Sequence, residues 1–198
     1  MSTTPLFVII TGGPGAGKTT LIDRLRGPGV TCVPEAGRAI IKDQRAIGGN
    51  AHHWGDAWLA AEITLAWEIR SYREASAATG TVFFDRGVPD VVGYPLLLGT
   101  PIPPHFAKAA ELYRYDRVFI APPWPEIYVN DTERKQDFAE AIRSYEVLVA
   151  AYTRCGYDLI TLPKSDVDTR VAFIREHLAG VSRPRAARTV QAECRRRR

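Results

Sequence analysis

The sequence predicts an α/β fold in which five parallel strands form one sheet with helices on both faces. Three observations carry this. Five short apolar runs, rich in β-branched and aromatic residues, recur along the chain; helical periodicities fill much of what lies between them; and a glycine-rich turn separates the first run from the first helix. Of the 198 residues, 45% are hydrophobic and 24% charged, an ordinary balance for a globular chain and enough to bury a sizeable core.

Residues 6–10 (LFVII) form an unbroken apolar run of the kind buried on both faces of a parallel sheet, and Gly12 and Gly13 end it. A helical pattern over 18–26 follows. Residues 30–33 read as the second strand, 36–47 and 54–78 as helices, 81–84 as the third strand and 118–121 as the fourth. Phe138, Ile142, Tyr145, Val149 and Tyr152 fall at four- and three-residue steps, the clearest amphipathic pattern in the chain. That helix can begin at Asn130, with Glu133 three residues on as a variant capping box, and stop at Gly156. Residues 159–162 give the fifth strand, and 167–179 a last helix with Ser165 as its cap and Gly180 as its stop. In such a sheet, ligands gather at the carboxyl ends of the strands.

Charge is uneven. The chain carries +4, and residues 183–198, with seven arginines and one glutamate, carry +6, which leaves about −2 for the rest. The expected organisation is one domain over 1–182 and a solvated, disordered basic tail over 183–198, the only part expected to touch nucleic acid or an acidic partner. Cys32, Cys155 and Cys194 are widely spaced, which suggests neither a disulfide frame nor a zinc knuckle. No apolar run is long enough for a signal peptide or a bilayer span, so a reducing cytoplasm is the expected location. The four histidines show no metal-ligand spacing.

Residues 11–20 read TGGPGAGKTT and contain G-x-x-x-x-G-K-[ST] as Gly12, Gly17, Lys18 and Thr19, between a strand and a helix as that motif requires. Gly12, Gly13, Pro14, Gly15, Ala16, Gly17, Lys18, Thr19 and Thr20 are therefore expected to cradle a nucleoside triphosphate. Backbone N–H groups turn inward around the phosphates, Lys18 reaches the β- and γ-phosphates, and Thr19 ligates Mg²⁺. No G-x-G-x-x-G can be laid over these glycines, which excludes a dinucleotide fingerprint. ATP and Mg²⁺ are the expected ligands, because the N-K-x-D stretch of guanine-specific switches is missing.

Asp85 ends the third apolar run and is expected to hold Mg²⁺, directly or through water. A mechanical ATPase would place a glutamate next; here Arg86 follows, whose planar fork suits a phosphate or polar substrate. The competing reading of Asp85-Arg86-Gly87 is a turn capped by an exposed ion pair. Glu35, just past the second strand, can take a proton from an acceptor hydroxyl while Arg38, one helical turn on, holds the acceptor. It can equally serve only to complement the start of the next helix. Arg134 and Lys135 are positioned either to close over a transferred phosphoryl group or to be plain surface charges. Lys164 and Ser165 lie where a purine ring would rest, Ser165 more simply as a helix cap. Trp58, with Trp54 and Trp67, reads as core or cleft wall, and Trp58 is assigned to the substrate site.

TGGPGAGKT at 11–19, VPEAGR at 33–38, FFDRGVPD at 83–90, RYDRV at 114–118 and PPWPEIY at 122–128 together resemble the small bacterial AAA-type ATP-binding proteins. The resemblance runs over residues 6–178. It implies a P-loop NTPase fold similar to that of nucleoside and nucleotide kinases, whose D-R or E-R-S pair matches Asp85 and Arg86. Their P-E region matches Pro34 and Glu35, and their arginine-bearing lid the segment around Arg134. Two departures stand out: a shortened lid with one Arg and one Lys, and Gly87 where those kinases often have Ser or Tyr. The expected activity is transfer of the γ-phosphoryl of ATP to a nucleoside-like or other small hydroxyl or phosphate acceptor, without membrane insertion. The alternative is a regulatory NTP-binding protein that hydrolyses slowly and signals to a partner.

Overall fold

The computed structural model of the protein describes residues 4–128 and 138–181. Five parallel strands, β1 (Leu6–Gly12), β2 (Val30–Val33), β3 (Thr81–Asp85), β4 (Arg117–Ala121) and β5 (Leu159–Thr161), form one sheet in the order β2-β3-β1-β4-β5. Alternate residues of each central strand serve opposite faces. Phe7, Ile9, Val82, Phe84, Val118 and Ile120 face one core, and Val8, Ile10, Phe83, Phe119 and Ala121 the other. That two-sided burial is why these runs carry no polar alternation.

The first core is closed by α3 (Ala57–Ala75), α4 (Val88–Leu97), α5 (Pro104–Leu112) and α6 (Phe138–Arg154); the second by α1 (Lys18–Leu25) and α7 (Val167–Leu178). The step from β1 out to β2 passes over the α1 face. The three steps back, from β2 to β3, β4 and β5, pass over the other, as right-handed crossovers require. Helix α2 (Ala36–Ile47) packs on α3.

The five expected strands are present within two residues of their expected ends. Helices α4 and α5 were not expected. The stretch 88–97 is apolar almost all round, with Val88, Pro89, Val91, Val92 and Pro95 all buried, so it shows no helical period, and Pro95 lies inside the helix. Helix α3 begins at Ala57 rather than 54 because Asp56 caps it, accepting from the Leu59 N–H at 2.9 Å. Asp166, not Ser165, caps α7, accepting from the Thr169 N–H at 2.9 Å. Asn130, Glu133, Arg134, Lys135 and the basic segment 183–198 lie outside the described residues.

Register positions the site. Ile10 of β1 pairs with Asp85 of β3, and Val33 of β2 with Phe84, so β2 and β3 end within one residue of each other and β1 two residues beyond β3. The turn after β1, Glu35 after β2 and Arg86 after β3 thus open side by side at the carboxyl edge of the sheet.

Candidate active site

The turn from β1 into α1 bends through Gly15 and Gly17 at φ of 72° and 76°, a left-handed conformation that disfavours a Cβ. Gly17 is the N-cap of α1 and no side chain caps that end, so its first N–H groups and the positive end of the helix dipole are presented to the loop. Lys18 is buried, and its ammonium donates to the Gly12 and Gly13 carbonyls at 3.0 and 2.9 Å. A positive charge is thereby folded into the concavity. Ala16 is buried, while Thr19 and Thr20 are exposed on the first turn of α1.

Asp85 is buried at the end of β3, and its Oδ1 meets no hydrogen-bond partner. Burial pushes its carboxyl above the ordinary range; Lys18 pulls it back, and Glu35 pushes it up further. A carboxylate oxygen left unsatisfied in the interior costs about 1–3 kcal/mol, so it calls for a cation or a metal-bound water. With the Thr19 hydroxyl one residue beyond Lys18, the donor set is all oxygen, which fits Mg²⁺.

Arg86 is the one described non-glycine residue with positive φ, at 74°. Its backbone N–H donates to the Ile10 carbonyl at 3.1 Å, which ties the strained turn to β1. The guanidinium then spans two carboxylates: Nε reaches Glu35 Oε1 at 3.1 Å and a terminal nitrogen reaches Asp90 Oδ1 at 3.1 Å. Burial opposes its charge, but Glu35, Asp90 and Asp85 outweigh that and hold its pKa above the usual value. Glu35 also pairs with Arg38 at 3.5 Å. It stands at the N-cap of α2 without capping it, so its carboxylate is turned to the arginines rather than spent on the helix start. The competing reading of 85–87 as a turn capped by an exposed ion pair does not hold, since Asp85 is 6% exposed.

No sequence pattern assigned a role to Asp90, the residue that organises this cluster. Asp90 accepts hydrogen bonds from the Thr11 hydroxyl at 2.6 Å, the Gly87 N–H at 2.9 Å and the Tyr152 hydroxyl, as well as from Arg86. Its reach back to Gly87 closes the first turn of α4. Arg170 was also missed. It is buried in α7, donating to the Ala16 carbonyl at 3.0 Å and the Pro163 carbonyl at 2.9 Å, with its guanidinium over the Trp124 ring at 5.1 Å. The phosphate loop is thus clamped to the loop after β5, where Lys164 is exposed.

Beside the phosphate loop lies a cleft of about 390 Å³, within the usual range for small-molecule sites. Pro14, Glu35, Arg38, Arg86 and Asp90 line it. Trp58 does not: it is half exposed on α3 and tilts toward Phe106, and Trp54, in the turn ahead of α3, lines the cleft instead with Arg45 over its ring at 5.2 Å. Because α3 starts only at Ala57, the two tryptophans do not share a helical face.

The AAA domain model matches residues 7–170, most of the chain. The chain belongs to the AAA domain family. This AAA domain matches no curated protein. Among solved structures it is similar to NadR in complex with NR (TM-score 0.63, 21% identity, 92% of this chain), of whose length it spans about half, 54%. It is similar to thymidylate kinase from Candida albicans (TM-score 0.63, 10% identity, 90% of this chain and 93% of that one). It is also similar to thymidylate kinase from Ehrlichia chaffeensis (TM-score 0.59, 16% identity, 88% and 99%). At these identities the likeness is one of fold: the AAA domain has the kinase-type P-loop architecture. No helix among the described residues is long and apolar enough to cross a membrane.

Proposed function

We propose that this protein transfers the γ-phosphoryl group of ATP to the hydroxyl of a small, nucleoside-like acceptor. The observation that carries the reading is the cleft: a space of about 390 Å³ opens beside the phosphate loop and brings Glu35 and Arg86 to one wall. A protein that only hydrolysed ATP would need room for one water there. The names of the two similar thymidylate kinases support phosphoryl transfer to a small acceptor of nucleoside type, thymidylate offering a phosphate where a hydroxyl is proposed here.

Gly12, Gly13, Pro14, Gly15, Ala16, Gly17 and Thr20 shape the triphosphate site, Lys18 sets a positive charge within it, and Lys164 borders the base. Thr19 and Asp85 would hold Mg²⁺, which supplies charge neutralisation at the phosphates. In the acceptor half, Glu35 takes the proton that the attacking hydroxyl releases, which is worth about 10² to 10⁴ in rate. Arg86 and Arg38 hold Glu35 in place by ion pairs, and the N–H groups of Arg86 not engaged by Glu35 and Asp90 are left to the acceptor. Asp90 is a positioning residue, because it acts through Arg86. Arg134 and Lys135 remain candidates for closing charge over the transferred group. The proposed unit is one domain over 1–182, working in the reducing cytoplasm, with 183–198 as a basic appendage.

The test is ATP consumption by the full chain across a library of nucleosides and other small hydroxyl compounds. The expected result is turnover that rises at least tenfold with one class of acceptor, together with a phosphorylated product. Equal consumption with and without every acceptor would favour the slow regulatory hydrolase.

A further inference from the structure

Helix α3 buries a stripe made of Ala61, Leu65, Glu68, Tyr72 and Ala75, spaced at four and three residues. Four of the five suit a core stripe; Glu68 does not. It is 3% exposed, lines the acceptor cleft, and makes no hydrogen bond or ion pair among the described residues. A buried carboxyl without a partner is costly. Leucine or methionine at that position would fill the stripe without the penalty.

We propose that the Glu68 carboxyl reads an amide-type edge on the acceptor: a hydrogen-bond acceptor atom beside an N–H donor, as a lactam ring presents. This deepens the acceptor-site reading above and rests on it. Burial raises the Glu68 carboxyl well above the ordinary range; Asp90 adds to the rise, Arg86 opposes it, and Glu35 and Asp85 add to it again. A protonated carboxyl offers one O–H donor and one C=O acceptor side by side, and a lactam edge returns both bonds. The surroundings suit a flat ring. Val91, Val147, Leu148 and Tyr94 line the same cleft as apolar walls, and Gly93 has no side chain to narrow it. Glu35 and Arg86 line it too, so the ring of a bound acceptor can meet Glu68 while its hydroxyl meets Glu35. The two carboxyl groups then divide the work: Glu35, paired with arginines, handles the hydroxyl, and Glu68, unpaired, selects the ring.

Calorimetric binding of uridine, inosine and the phenyl C-riboside to the full chain tests this. Uridine and inosine carry a lactam edge on one- and two-ring bases, and the phenyl compound has a flat ring with no such edge. The expected result is that at least one lactam riboside binds ten or more times tighter than the phenyl one. Glu68→Gln, whose carboxamide offers the same donor and acceptor, should keep that preference within about threefold. Glu68→Leu should erase it. Equal binding of all three ribosides, no binding of either lactam riboside, or a preference that survives in Glu68→Leu would overturn the proposal. Should Glu68→Leu not fold, loss of the preference in Glu68→Gln would overturn it as well. A preference that depends on Glu68 with no phosphoryl transfer to the bound riboside would support this subsite and refute the kinase reading alone.

Discussion

Asp90→Asn removes one charge and exchanges one oxygen for an NH₂ group, and the geometry around Asp90 sets the expected cost. Oδ1 receives the Thr11 hydroxyl and Arg86; Oδ2 receives the Gly87 N–H and the Tyr152 hydroxyl. Whichever oxygen is replaced, the new NH₂ faces one hydroxyl that can rotate to accept and one fixed donor that cannot. Either the Gly87 N–H or the Arg86 guanidinium is therefore left buried against another donor. Breaking a buried charge pair by altering one partner costs about 3–5 kcal/mol. Tyr152→Phe leaves the carboxylate intact and removes a single bond to a charged group, for about 1.5–3 kcal/mol. Urea unfolding of the two variants should rank them in that order. A loss below about 1 kcal/mol for Asp90→Asn would refute the view that Asp90 organises the cluster.

Other perturbations have equally direct readouts. A Cβ on Gly87 would lie 2.7 Å from the Ile9 Cδ1 and 2.8 Å from the Tyr115 hydroxyl, so Gly87→Ala should destabilise by about 1–3 kcal/mol in the same unfolding assay. Lys18→Ala should abolish ATP binding measured by calorimetry. It should also lower stability by about 1–3 kcal/mol, because the Gly12 and Gly13 carbonyls lose their donor in the interior. Glu68 predicts a pH effect. The unfolded chain releases its proton near pH 4.3 while the folded chain holds it to a higher pH, so over that interval the unfolded state binds fewer protons and stability falls as pH rises. The neighbouring Asp90, Arg86, Glu35 and Asp85 are common to wild type and Glu68→Gln. The stability difference between the two should therefore shift in favour of Glu68→Gln by up to about 1.4 kcal/mol per pH unit, and parallel curves would contradict the assignment.

The sheet was legible because each strand is apolar on both faces, and the phosphate loop because its glycines and lysine have fixed spacing. Glu35, Asp85 and Arg86 were legible for a related reason: each stands at or just past the end of a strand, and the parallel strands β1, β2 and β3 end within a few residues of one another. Helix α4 was hidden by its own burial, since a helix apolar on every side has no period to detect. Asp90, Glu68, Tyr152 and Arg170 stand on four different helices, α4, α3, α6 and α7. Their meeting around the site is a product of tertiary packing that no local pattern encodes. Glu68 did leave a trace, as a charge within an apolar stripe. Trp58 falls outside the cleft because the helical pattern over 54–78 takes in 54–56, which belong instead to a turn where the His52, Gly55 and Asp56 N–H groups donate to the Asn50 and His52 carbonyls.

In the proposed reaction the cleft delivers an acceptor hydroxyl to Glu35 while the phosphate loop holds ATP. Glu35→Gln keeps the size of the side chain and removes its capacity to take a proton, and Arg86 keeps its bond to Asp90. The measurement is the turnover number of Glu35→Gln and wild type with one accepted substrate at saturating ATP, alongside the ATP dissociation constant. The expected result is a fall in turnover of about 10² to 10⁴ with ATP affinity nearly unchanged. Turnover close to wild type, or a loss carried entirely by weaker ATP binding, would contradict it.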